Sequence, residues 1–102
     1  MVPTNKIEEL ISKHSLLEKE LSSGKTEKKQ FAEKSKEYSD LNDIIKQAKK
    51  YISFEKEKNE LEKIINDTNS SNEFITMASD ELGVLKKQNE TNEKVLKLFL
   101  LP

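Results

Sequence analysis

The sequence predicts an all-α fold: a three-helix, up-down-up bundle built on a long antiparallel helical hairpin, with helices near 5–22, 26–66 and 71–98. Three observations carry that prediction. Residues 26–66 run without Gly or Pro. Their apolar members, from Phe31, Tyr38, Leu41, Ile45, Ala48 and Ile52 to Leu61, Ile64 and Ile65, recur mostly at steps of three, four or seven, which is one stripe of an α-helix. Finally, the chain holds only 2 Gly and 2 Pro, too few for a turn-rich β fold.

Each element follows from local signals. The first helix is expected to open near Thr4 or Asn5, with Asn5 and Glu8 at capping-box spacing. Its stripe is Ile7, Leu10, Ile11, Leu17 and Leu21, with His14 on or beside it. Ser22-Ser23-Gly24 should end it, because Gly24 adopts the left-handed conformation at little cost. The second helix starts somewhere from Thr26 to Phe31. Its seam thins between Ile52 and Leu61, where Glu55, Lys58 and Asn59 approach the apolar face, so a bend or a shift of the stripe is expected there. The run from Asn66 to Asn72 is the clearest loop, since such side chains satisfy their own backbone. Ser70 and Glu73 offer a second capping box. The last helix carries Phe74, Met77, Ala78, Leu82, Leu85, Val95, Leu96 and Phe99 on its stripe, with Gly83 inside it and a polar stretch at Gln88, Asn89 and Asn92.

Short connections favour antiparallel neighbours. The first helix is too short to cover the hairpin, so the region near residues 60–80 should project as a two-helix tip. The apolar stripes read as core. Any stretch left uncovered would be a docking surface or a dimer seam.

Composition narrows the function. At 102 residues the chain is expected to be one domain. It is 33% hydrophobic and 36% charged, as suits long helices with one buried stripe. The net charge is -1, and every basic residue is Lys. Without Arg, sequence-specific reading of nucleic acid is disfavoured. Cysteine is absent, which removes disulfides, thiolate metal sites and Cys nucleophiles. No apolar run has the length of a membrane span, and the first residues lack the apolar core of a secretory leader. A cytoplasmic protein with no membrane partner is expected.

No constellation supports catalysis, and no catalytic residue, cofactor or metal site is expected. Gly24-Lys25-Thr26 has the end of a phosphate-binding loop, but Lys19 stands where its first Gly belongs. Asp67-Thr68-Asn69-Ser70-Ser71 opens like a calcium loop, but Asn72 and Ala78 occupy the positions that need Gly and Glu. His14 is the only histidine and reads as a packed or half-exposed helix residue. Three Asn-x-Ser/Thr triplets, beginning at Asn66, Asn69 and Asn89, have no consequence without a secretory leader.

Two further segments carry a resemblance. Met77-Ala78-Ser79-Asp80-Glu81-Leu82, followed by a charged helix ending in Leu98-Phe99-Leu100-Leu101-Pro102, resembles the last helix of the N-terminal domain of bacterial peptide chain release factors. Glu37-Tyr38-Ser39-Asp40-Leu41 resembles the Glu-Tyr-x-x-Leu segment of that domain's long helix. The resemblance spans nearly the whole chain. The spacing before the Met-Ala element leans toward the branch that reads UAA and UAG. It implies a non-catalytic domain of a longer class I release factor, with Pro102 at a domain border. The codon-reading tripeptide and the Gly-Gly-Gln loop that triggers peptidyl-tRNA hydrolysis are absent from this chain.

The resemblance also implies partners: the stalk base of the large ribosomal subunit and, through functional interplay, the release-factor GTPase. A monomer is expected. The projecting loop formed by Asp67, Thr68, Asn69, Ser70, Ser71 and Asn72 is the candidate ribosome-facing site. The alternative is a free-standing coiled-coil adaptor or dimerisation module.

Overall fold

The computed structural model describes residues 2–102. Four helices follow one another: α1 (Thr4–Ser22), α2 (Lys28–Asn42), α3 (Ile45–Asn66) and α4 (Asn72–Leu100). Among the described residues there is no strand. The molecule measures 60 × 29 × 19 Å, with a radius of gyration of 18.2 Å. A compact chain of this length would have about 13 Å, so this fold is a rod.

The up-down-up course is present, but the long second helix is two helices. The ladder breaks at Asp43-Ile44. The Ile44 amide donates to the Leu41 carbonyl, a tight i−3 bond, and Ile44 has φ −118° and ψ 1°. Asn42 and Asp43, whose short polar side chains compete with helical backbone bonding, stand at the break. Asn42 has a partner elsewhere: its Oδ1 lies 3.0 Å from Nε2 of the buried His14. The expected bend between Ile52 and Leu61 is absent as an interruption. α3 runs unbroken from Ile45 to Asn66, and α4 packs along it more extensively than any other pair of helices.

α1 runs antiparallel to α2 and α3 in turn and packs about equally on both. Polar contacts mark the register: Glu20 pairs with Lys34, Lys13 with Glu37, and His14 with Asn42. At the far end Tyr51 clamps the N-terminal segment. Its hydroxyl accepts from the Val2 amide at 3.1 Å and donates to the Val2 carbonyl at 3.2 Å. The His14 ring stacks on Tyr38, with centroids 4.7 Å apart. His14 is therefore a packed residue rather than a half-exposed one.

Helix ends depart from the expected caps. Asn5 does not cap α1; the helix begins at Thr4 after Pro3, whose carbonyl accepts from the Lys6 and Ile7 amides. The tie between Val2 and Tyr51 sets that start instead. At the other end Gly24 has φ +71°, the left-handed value expected of it. Ser22, Ser23 and Thr26 hydroxyls donate to the last carbonyls of α1.

The core lies at one end. Val2, Ile7, Leu17, Leu41, Ile44, Ala48 and Leu96 form one buried cluster, with Tyr38, Tyr51, Ile52 and Phe99 packed against it. Leu96 reaches this cluster although the backbones of α1 and α4 do not approach closely. Four large apolar members of the expected stripe, Phe31, Ile64, Phe74 and Met77, are exposed. Phe31 is exposed because α1 ends opposite the start of α2, and Phe74 and Met77 are exposed because only two helices reach that far. Gly83 faces open space, with nothing within 4 Å of where a Cβ would stand, so it serves no close packing.

Candidate functional site

The loop expected to be the tip joins α3 to α4 at the end of the hairpin that lacks α1. Asp67 organises it. Its Oδ1 accepts from the Asn69 amide at 2.9 Å, and its carbonyl accepts from the Ser70 amide at 3.1 Å. This is an Asx turn, in which a short carboxylate replaces a backbone acceptor. Ser71 then caps α4, its Oγ accepting from the Phe74 amide at 3.2 Å. The cap is Ser71 rather than the expected Ser70, because the Ser70 amide is committed to the Asp67 turn. That shift puts Phe74 where a capping box needs Glu or Gln. Glu73, in the first turn of α4, still complements the positive end of the helix dipole.

Asp67, Thr68, Asn69, Ser71 and Asn72 are exposed, and Ser70 is half-buried. Asn72 is the first residue of α4 rather than part of the loop. The six residues thus sit together at one end of the rod, as a turn and a cap held by local bonds. Just below, Ile64, Phe74 and Met77 are exposed, at 39%, 62% and 58% of full accessibility. Spacing alone places these three in the core. They are the apolar part of the tip, and only the missing third helix reveals it.

Among the described residues, no three His, Asp or Glu come together as metal ligands. No helix is long and apolar enough to cross a membrane. Between α3 and α4, midway along the rod, lies an open groove of about 450 Å³ lined by Lys and amide side chains. At the core end, Glu93 and Lys97 pair at 3.0 Å across one turn of α4. The Lys97 ammonium holds the Glu93 carboxyl below the usual carboxylate range, and Glu93 in turn raises Lys97.

Comparison with known proteins gives this geometry a family. The PCRF domain model matches residues 10–102. Peptide chain release factor 1 of Pelagibacter ubique is 67% identical over 102 residues, which is 100% of this chain and 29% of that protein. Peptide chain release factor 1 of Anaplasma phagocytophilum is 36% identical over 96 residues, covering 93% of this chain and 27% of the relative. The protein of the same name from Magnetococcus marinus is 31% identical over 104 residues, covering 100% and 29%. No solved structure matches the chain significantly. The chain spans under a third of the length of these relatives. With the family match running from the middle of α1 to Pro102, the chain belongs to the peptide chain release factor family through its PCRF domain.

Proposed function

We propose that this chain is the non-catalytic N-terminal domain of a class I release factor, and that it supports ribosome engagement during translation termination in the cytoplasm. The observation that carries this reading is the match along the whole chain to release factor 1. Stop-codon reading, of UAA and UAG, and peptidyl-tRNA hydrolysis would belong to parts of the factor outside these residues. An adjoining domain at the Pro102 end would have Leu98 and Leu101 to cover, both exposed there. The working end would then be the opposite one. The Asp67–Asn72 segment and the neighbouring Phe74 and Met77 would face the stalk base of the large subunit, with interplay with the release-factor GTPase as a consequence of that placement. The domain would act as a monomer.

A chimera tests this. In Pelagibacter ubique release factor 1, the matching segment is replaced by this chain, and binding to stop-codon-programmed ribosomes is measured beside single-turnover peptide release. The chimera should bind and release like the parent. Charge-preserving replacement of residues 67–72 should weaken ribosome binding by about tenfold and leave release at saturation unchanged. Unchanged binding would sink the assignment of the tip. Sedimentation of the isolated chain checks the monomer, and a tight dimer would favour the coiled-coil module instead.

A further inference from the structure

The groove midway along the α3–α4 hairpin is lined mainly by lysine and amide side chains. Lys46 and Lys50 stand one turn apart on α3, about 6 Å along the axis. Lys87 faces them from α4. None of the three has an ion-pair partner among the described residues, although the protein makes such pairs elsewhere through Lys13, Lys34, Lys58 and Lys97. No carboxylate lines the groove. A chain of net charge -1 therefore concentrates three free ammonium groups in one concave strip. Gln47 and Gln88 line the same strip, and the Oε1 of Gln47 is buried without a hydrogen-bond partner.

We propose that this groove binds the sugar-phosphate backbone of double-stranded RNA, independently of sequence. Lysine ammonium groups act as point charges on phosphates. Side-chain amides both donate and accept, which suits the ribose 2′-hydroxyl. The groove has no aromatic side chain on which an unpaired base would stack, so a single strand is the poorer fit. It has no Arg to read base edges. A protein partner is also the poorer fit. Interface anchors are mainly aromatic side chains and Arg, whereas the groove offers only Val84 as an apolar contact. The choice of RNA among polyanions rests on the ribosomal role proposed above, but the groove is separate from the tip.

The test uses the 102-residue chain and a duplex RNA of about 20 base pairs, with fluorescence anisotropy as the readout. Duplex DNA of the same sequence, inorganic phosphate and polyglutamate serve as competitors. Binding should weaken with salt between about 50 and 200 mM, with a log–log slope of about −2 to −3 for three phosphate contacts. The combined variant K46Q/K50Q/K87Q should weaken RNA binding by about tenfold or more. A variant of equal charge change, K28Q/K29Q/K36Q, should change it less than about twofold. Circular dichroism should show both variants as helical as the parent.

Equal weakening by the two variants would overturn the proposal, since the attraction would then be diffuse. So would DNA competing as well as RNA, polyglutamate competing better, or no RNA binding at low salt. Absence of RNA binding with an intact effect of tip replacement on ribosome binding would remove the groove and leave the proposed function standing. Groove-dependent RNA binding beside an inert tip would do the reverse.

Discussion

The two ends of the rod are built from the same kind of sequence and have different interiors. At the core end three layers meet. α1 closes over the junction of α2 and α3, Leu96 enters from α4, and Ile7 and Leu96 are fully buried. At the tip only α3 and α4 remain, and Ala78 is the only buried hydrophobic residue among those described there. Phe74, Met77 and Ile64, on the expected stripe, stay open to water. Two helices side by side bury one strip of each, whereas a third helix encloses a wedge. Apolar spacing therefore means core at one end and exposed surface at the other. Stability should be unevenly shared, with the tip opening before the base, as expected where few apolar contacts back the helices.

The sharpest way to probe this contrast is to truncate one side chain at each end. Leu96→Ala should cost about 3 kcal/mol, as large-to-small changes in a closed core do. Met77→Ala should stay within about 0.5 kcal/mol. Urea denaturation followed by circular dichroism measures both. Similar costs would mean that the two ends are equally packed and would erase the distinction.

A smaller effect separates local from global stability at the tip. Ser71→Ala removes the one side-chain cap of α4 and should cost about 1 kcal/mol. Gly83→Ala should return about as much, since the added methyl meets nothing and relieves the helix of a glycine. Amide hydrogen exchange over residues 72–83 should speed up in the first variant and slow in the second, with little change around Leu41 and Ala48. A uniform change would show that the ends open as one unit.

The smallest effect concerns pH at the core end. The Glu93 carboxyl titrates lower in the folded chain than in the unfolded one, because of Lys97 beside it. Its contribution is present above the unfolded carboxylate pKa and is lost as pH falls through the lower folded value. Lys97, raised by Glu93, contributes below the ordinary lysine pKa and loses this as pH rises through its folded value. Glu93→Gln should therefore lower Tm slightly between those limits and converge with the parent in acid. A difference that persisted below pH 3, about a unit under the ordinary carboxylate pKa, would assign the effect to packing instead.

Much of this was legible in the chain itself. The helical periodicity near 5–22, 26–66 and 71–98, the left-handed Gly24 and the polar turn at Asp67 follow from local chemistry, which acts over one helical turn and needs no partner. The loop proposed as the tip was readable for the same reason: Asp67 and Ser71 satisfy nearby amides by their own side chains. Family membership was legible too, in Met77–Leu82 and Glu37–Leu41 together.

Other features depended on which element lies opposite. The break at Asp43-Ile44 sits where His14 draws on Asn42, across 28 positions. The start of α1 is tied by Tyr51, 49 positions away. Exposure of Phe31, Phe74 and Met77 follows from how far α1 reaches, and the lysine groove exists only because α3 and α4 bring Lys46, Lys50 and Lys87 together. A helix stripe states that a face is apolar. Whether that face is core depends on the number of helices that meet there, and only tertiary packing decides that number.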